Sequence, residues 1–293
     1  MKIIQATYGG EDCTKQVKAK QAGDNLFILA NNNIIGDPAI GQVKYLVLEY
    51  EYGGAGHIVQ ARENEWLIVK NSTSDRLGIF YSNNYQPETQ PAIKKSLETL
   101  VAASKNSADI MTCMWYKQDG NPFAEYLSWN KVYGHINQVT NILQLLYNAE
   151  KVGGYKYVSF LEHDVMYPEG YFDFPDFEIG QVQTNMNYIG LCKEGWQTVN
   201  QKDEPMHQMT MRFEDAIPHF EAVHKNALLV GAGLVEPQHL ERIQWQSKHP
   251  AVHINHGHHY TSHHSIYSKQ TTSDHDYWLN YLDYIHLFVE NNG

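Results

Sequence analysis

A chain of 293 residues, 42% of them hydrophobic and 19% charged, is long enough to bury a full core and more naturally forms two domains than one, which excludes a disordered chain. A formal net charge of -11 speaks against broad affinity for nucleic acid or anionic membrane, although a local basic groove is compatible with it. The opening MKIIQATYGGEDCTKQ has no signal-peptide core, no later window is long enough to cross a bilayer, and Cys13, Cys113 and Cys192 lack any CxxC spacing, so a reducing, cytoplasmic setting away from membranes is expected.

The first seventy or so residues read as short strands, IIQATY, NLFILA, KYLVLEYEY, HIVQA and WLIVK, punctuated by GG, AGD, NNNIIGDPAIGQ and GGAG. No helical period of useful length interrupts them, which predicts a small all-β sandwich over residues 1–72. NSTSD after Lys70 is a polar linker, and a second domain is expected over 73–293. There the pattern becomes βαβ: a strand RLGIFYS, a helix QPAIKKSLETLVAAS with Pro91 in its first turn and Ile93, Leu97, Leu100 and Val101 on one face, then a strand ADIMTCMW. A second helix, GHINQVTNILQLLYNAEKVGG, carries Ile136, Val139, Leu143 and Leu146 as a stripe and ends on Gly153-Gly154. With the strand YKYVSFL behind it, the alternation predicts an α/β domain with a largely parallel sheet covered by helices.

That last strand ends in Glu162-His163-Asp164, followed by the aromatic-rich VMYPEGYFDF. Ligands of open parallel sheets bind beyond the carboxyl ends of the strands, and side chains two apart on an extended segment point the same way. Two carboxylates converging on one point repel each other unless a cation or shared proton sits between them. Hard divalent ions fit that need, since Mg²⁺ and Mn²⁺ take oxygen ligands and are held by one or two carboxylates plus substrate phosphates. The plain alternative is a solvated strand end or a helix cap.

In its order of elements over residues 75–265, and in FLEHDVMYP, the chain resembles glycosyltransferases of the GT-A fold, whose DxD motif holds a divalent metal on the diphosphate of a nucleotide sugar. Here Glu162 stands in place of the first Asp. The resemblance implies a GT-A-like domain, a nucleotide-sugar donor, Mn²⁺ or Mg²⁺ as cofactor, and Glu162 and Asp164 as metal ligands. LGIFYSNN matches the first strand of that fold, which places Ser82 and Asn83 at the nucleotide or in an ordinary polar loop; His163 and His258 join them as nucleotide-side candidates.

Near the other end, HPAVHINHGHHYTSHHSIY holds His249, His253, His256, His258, His259, His263 and His264, with AVHIN spaced like a strand. Such a cluster serves metal ligation, proton transfer or polar packing. The resemblance implies a histidine from this segment as third metal ligand; His256, beside Gly257, is the first choice and His258 the second. FED, with Glu214 and Asp215 ahead of a helical run, looks like the acidic general base of inverting members, with Asp215 as base, and equally like a helix N-cap. Trp115, Tyr167, Tyr171 and Trp196 offer aromatic faces for sugar rings, or are core.

The first seventy residues, through ATYG, CTKQV, GDPAIGQVKYL and HIVQARENEWLIV, resemble the C-terminal domain of certain DnaJ-like proteins, which implies acceptor recognition, assembly or a structural appendage. The reading that results is a metal-dependent glycosyltransferase acting on a saccharide, small molecule, protein or modified phage DNA base. The alternatives are a non-catalytic carbohydrate-binding protein with a degenerate GT-A domain and a metal-dependent hydrolase that uses the histidines to activate water.

Overall fold

The structure, a computed structural model, describes residues 1–22, 24–70, 74–82, 89–105, 107–116, 118, 121–128, 135–192, 195–198, 208–230, 240–254 and 278. Contacts divide the chain into two compact units, Met1–Thr73 with Asp119–Tyr126, and Ser74–Gln118 with Leu127–Gly293.

The first unit is built from β1 (Lys2–Tyr8), β2 (Glu11–Asp12), α1 (Thr14–Lys18), β3 (Gln21–Ala22), β4 (Asn25–Leu29), β5 (Tyr45–Tyr52), β6 (Ala55–Arg62) and β7 (Trp66–Val69). They form two antiparallel sheets, β2-β1-β5-β6 and β3-β4-β7. Alternate side chains of both enter one core, with Ile3, Ala6 and Tyr8 from β1, Leu46, Leu48 and Tyr50 from β5, and Leu26, Ile28, Leu67 and Val69 from β4 and β7. Gly53 and Gly54, both at positive φ, make the two-residue turn between the paired Tyr52 and Ala55, a backbone that only glycine adopts at no steric cost. The unit is not all-β. Asp12 Oδ1 accepts hydrogen bonds from the Thr14 amide and hydroxyl and starts the five-residue helix α1, which buries Val17. A helix of little more than one turn is too short to show a 3.6-residue period in sequence.

The second unit runs β8 (Arg76–Tyr81), α2 (Gln90–Ser104), β9 (Asp109–Met114), α3 (His135–Val152), β11 (Tyr157–Glu162), β12 (Val165–Met166), β13 (Gln181–Asn185), β14 (Tyr188–Cys192), β15 (Gly195–Thr198), β16 (Met209–Arg212), α4 (Phe213–Val230), β17 (Glu241–Trp245) and β18 (Ala251–Ile254); between β9 and α3 in sequence comes β10 (Ala124–Leu127), all but the last residue of which belongs to the first unit. Its main sheet is mixed and mostly parallel, with its strands in the order β9-β8-β11-β16-β13-β17. β9, β8 and β11 run parallel, β13 is parallel to β17, and β16 is antiparallel to both of its neighbours. It follows that β9, β8, β11, β13 and β17 share one direction and β16 opposes them.

Helix α2 starts with Pro91 at its amino end and buries Ala92, Ile93, Ser96, Leu97, Leu100, Ala103 and Ser104, so its inner face runs through Ser96 and Leu100, while Val101 is 46% exposed. α3 buries Val139, Ile142, Leu143, Leu145, Leu146 and Ala149, and Gly153 at positive φ closes it by donating to the Ala149 carbonyl. A smaller sheet, β12-β18-β14-β15, takes up the chain just after β11 and joins it to the start of the histidine-rich segment. Met166, Ile189, Leu191, Val252 and Ile254 of this sheet form one apolar cluster with Ala92 of α2 and Trp278.

Candidate functional site at the carboxyl end of β11

β8 and β11 pair in parallel register from Arg76↔Tyr157 to Tyr81↔Glu162, so Glu162 and Tyr81 end their strands side by side. Tyr81 donates its hydroxyl to Glu162 Oε1 at 3.2 Å, and Gln138 of α3 donates Nε2–H to the same oxygen at 3.4 Å. The Glu162 backbone N–H donates to Tyr167 Oη at 2.7 Å, and the Tyr167 N–H donates to Thr99 Oγ1 of α2. Burial, reinforced by the charge of Glu162 and also by that of Asp164, holds the Tyr81 phenol well above its ordinary range, so it stays a hydrogen-bond donor.

β11 stops at Glu162, and His163 and Asp164 lie in a turn before β12. Strand alternation therefore does not extend to Asp164, and the convergence of the two acids takes another route. Ser96 of α2 donates to the His163 carbonyl at 2.9 Å, and the Ile254 N–H donates to the Asp164 carbonyl at 2.7 Å, which clamps the turn from both sides. β12 and β18 then pair antiparallel with Val165 opposite His253. That register brings His253 Nε2 to 3.4 Å from Asp164 Oδ2, across 89 residues of chain. Both side chains are nearly buried, at 13% and 5% exposure. Burial by itself would lower the His253 pKa, but the charge and hydrogen bond of Asp164, with the charge of Glu162, outweigh it and raise the imidazole above its ordinary value. Glu162 and Asp164 thus act together on Tyr81 and on His253.

Ser82, the residue after Tyr81, is buried at this same end, with its N–H on the Cys113 carbonyl at 3.0 Å. His163 is half-buried in the turn. Asn83, His256 and His258 lie outside the described residues.

The acidic pair Glu214 and Asp215 is not at this site. β16 pairs antiparallel with β11, Arg212 opposite Tyr157, so α4 begins at the other end of the sheet. At about 3.3 Å per residue, the length of β11 separates that end from Glu162 by about 16 Å. Asp215 Oδ2 accepts the Gly180 N–H at 2.7 Å, and Glu214 Oε1 takes Arg212 at 3.2 Å. Burial pushes the Glu214 carboxyl up, but the hydrogen bond and charge of Arg212 more than offset it and hold the group below its usual range. Of the two sequence readings for these acids, the first turn of a helix describes both. The aromatic residues after Asp164 are likewise packed: Tyr167 and Tyr171 are each 1% exposed with ring centroids 4.8 Å apart, and Phe174 and Phe177 close over Tyr157. Trp115 is buried as well, and the partly buried Trp196 packs against the apolar cluster of the smaller sheet. Trp115, Tyr167 and Tyr171 are thus core residues.

In chemistry alone, the two carboxylates suit a hard divalent ion such as Mg²⁺ or Mn²⁺, while an imidazole is a ligand more typical of Zn²⁺, Fe²⁺, Ni²⁺ or Cu²⁺. The 3.4 Å between His253 Nε2 and Asp164 Oδ2 is long for a hydrogen bond. Among the described residues, no three His, Cys, Asp or Glu side chains already stand close enough together to hold an ion. No helix among the described residues is long and apolar enough to cross a membrane.

No family model matches the chain, and no curated protein matches it. Among solved structures, it is similar to a glycosyltransferase involved in the glycosylation of the major capsid of PBCV-1, at 13% identity and a TM-score of 0.40, over 61% of this chain and 91% of that one.

Tyr81, Gln138 and His253 were the site residues that local sequence patterns did not single out. Tyr81 was reachable in principle, because β8 and β11 are of equal length and a parallel pairing that aligns their ends puts it beside Glu162. Gln138 was visible only as a polar interruption of an apolar stripe, and His253 as one of seven candidates in its segment.

Proposed function

We propose that the chain is a metal-dependent glycosyltransferase of GT-A type that takes its sugar from a nucleotide-sugar donor. The observation that carries this reading is the placement of Glu162 and Asp164 at the carboxyl end of β11 beside β8, with His253 delivered to Asp164 by β18. The motif resemblance of FLEHDVMYP and the position of open-sheet ligand sites beyond the strand ends support it. In this reading Glu162, Asp164 and His253 hold Mn²⁺ or Mg²⁺, with His253 in the place first given to His256. When bound, the ion takes up negative charge on the departing diphosphate. Ser82, one residue beyond Tyr81, lies on the nucleotide side of the site.

The chain's own contribution is positional. Tyr81 and Gln138 hold the Glu162 carboxylate, Ser96 of α2 holds the turn at the His163 carbonyl, Thr99 of α2 holds the Tyr167 backbone, and β18 holds Asp164. Asp215 has no role at the reacting centre. A thermal-shift panel of UDP, GDP and CDP, each with and without Mn²⁺, tests the reading, because a ligand that binds only the folded state raises its melting temperature. A shift that requires both Mn²⁺ and a nucleotide is expected, and no shift with any combination contradicts it.

A further inference from the structure

Strand β6 (Ala55–Arg62) forms one edge of the first unit's larger sheet, with β5 on one side and no described strand on the other. Its register with β5 runs unbroken from Tyr52↔Ala55 to Tyr45↔Arg62. The Glu63 N–H donates inward to the Lys44 carbonyl, whereas Arg62 turns outward, its N–H on Glu65 Oε2 at 3.1 Å and its carbonyl on the Glu65 N–H at 2.8 Å. Backbone groups alternate sides along a strand, so Gly56, Ile58 and Gln60 also direct their N–H and C=O away from β5, at exposed positions. Such an edge is a template for another strand, and natural sheets blunt it with lysine, proline or a bulge. β6 carries none of these, and Ile58 at its middle is 71% exposed.

We propose that β6 pairs antiparallel with β6 of a second copy of this chain, about a two-fold axis at Ile58. That axis sets Gly56 opposite Gln60 of the second copy, Ile58 opposite Ile58, and Gln60 opposite Gly56. Each pair exchanges two hydrogen bonds, so every outward backbone group of the three residues finds a partner. The two Ile58 side chains meet on the outer face, and no like charges stand opposed. Arg62 of the second copy falls beside Gly54, about 12 Å from Glu51 between Cα atoms by strand spacing and rise. Glu51 lies opposite Gly56 in register, so only glycines stand between the two charged side chains, which are long enough together to bridge the gap. Glu51 is 48% exposed and meets Lys2 at a loose 4.0 Å, which leaves it open to the second cation. The pairing closes on itself, because the opposite edge is the two-residue, acidic β2. A contact of this size is weak, so the dimer should dissociate on dilution. It draws on the first unit alone and is independent of the metal reading.

The test is sedimentation velocity of the full chain from about 1 μM to about 300 μM, a range that spans weak association, with thermal unfolding of each variant. The unaltered chain is expected to pass from monomer to dimer and no further. Ile58→Lys sets two charges face to face at the axis and should remain a monomer throughout, with its fold kept because the site is exposed. Arg62→Glu should weaken the dimer severalfold, since the ion pair occurs twice, and adding Glu51→Arg should restore it. Should Ile58→Lys fold poorly, that charge exchange decides, and failure to restore the dimer overturns the proposal. So does an unaltered chain that stays monomeric across the series, one that assembles beyond a dimer, or a dimer untouched by Ile58→Lys.

Discussion

In the metal-free protein, the His253–Asp164 pair should stabilise the fold in a pH-dependent way. At the observed 3.4 Å, two unit charges attract by about 5 kcal/mol at an effective dielectric near 20, and desolvation of the ring takes part of this back. A hydrogen bond to a charged group nets about 1.5–3 kcal/mol, so His253→Gln, which keeps a neutral donor, should cost about 1–2 kcal/mol. His253→Ala leaves the buried carboxylate without its imidazole and should cost about 3 kcal/mol or more. The sign follows from the raised pKa: the folded state binds the imidazole proton more tightly than the unfolded chain, which titrates near about pH 6.5. The extra stability is complete below that value and is lost as pH rises through the folded pKa. Urea unfolding in EDTA, at one pH below the ordinary imidazole range and one well above it, measures the gap between wild type and His253→Gln. A gap that stays constant or widens at the higher pH refutes the ion pair.

Gly78→Ala probes the packing beneath the site. A Cβ there would stand 2.5 Å from Ile110 Cδ1, 2.7 Å from Leu161 Cδ1 and 3.2 Å from Phe172 Cζ, so thermal unfolding should show a loss of about 1–3 kcal/mol, and unchanged stability would contradict the packing. Asp215→Asn should cost about 1 kcal/mol through its weakened bond from the Gly180 N–H and leave Mn²⁺-dependent nucleotide binding intact; lost binding would return Asp215 to the reacting centre.

β8, α2, β9, α3 and β11 were legible because each is long enough to show its period, and because Gly153 and Pro91 mark helix ends; the four-residue β10 between them was not. The strand character of AVHI was legible too. What local pattern could not supply was register between distant segments. MTMR alternates like a strand, yet nothing within it says that it lies antiparallel beside β11, and that single pairing sends Glu214 and Asp215 to the far end of the sheet. Likewise, local context ranked His256 and His258 first among the seven histidines of one segment, and it is the pairing of Val165 with His253 that brings His253 to Asp164. The loop after Asp164 was rich in aromatics for a reason that composition does not separate from ligand binding: Tyr171, Phe172 and Phe174 are core.

The central claim is that Glu162 and Asp164 hold a cation which in turn holds a nucleotide. Its most direct measurement is calorimetric binding of UDP, GDP and CDP in saturating Mn²⁺ to wild type and to Asp164→Asn, a near-isosteric change that removes one charge. Binding of at least one nucleotide by wild type, dependent on Mn²⁺ and abolished in a folded Asp164→Asn chain, is the predicted result. Equal nucleotide affinity in the two proteins would contradict it.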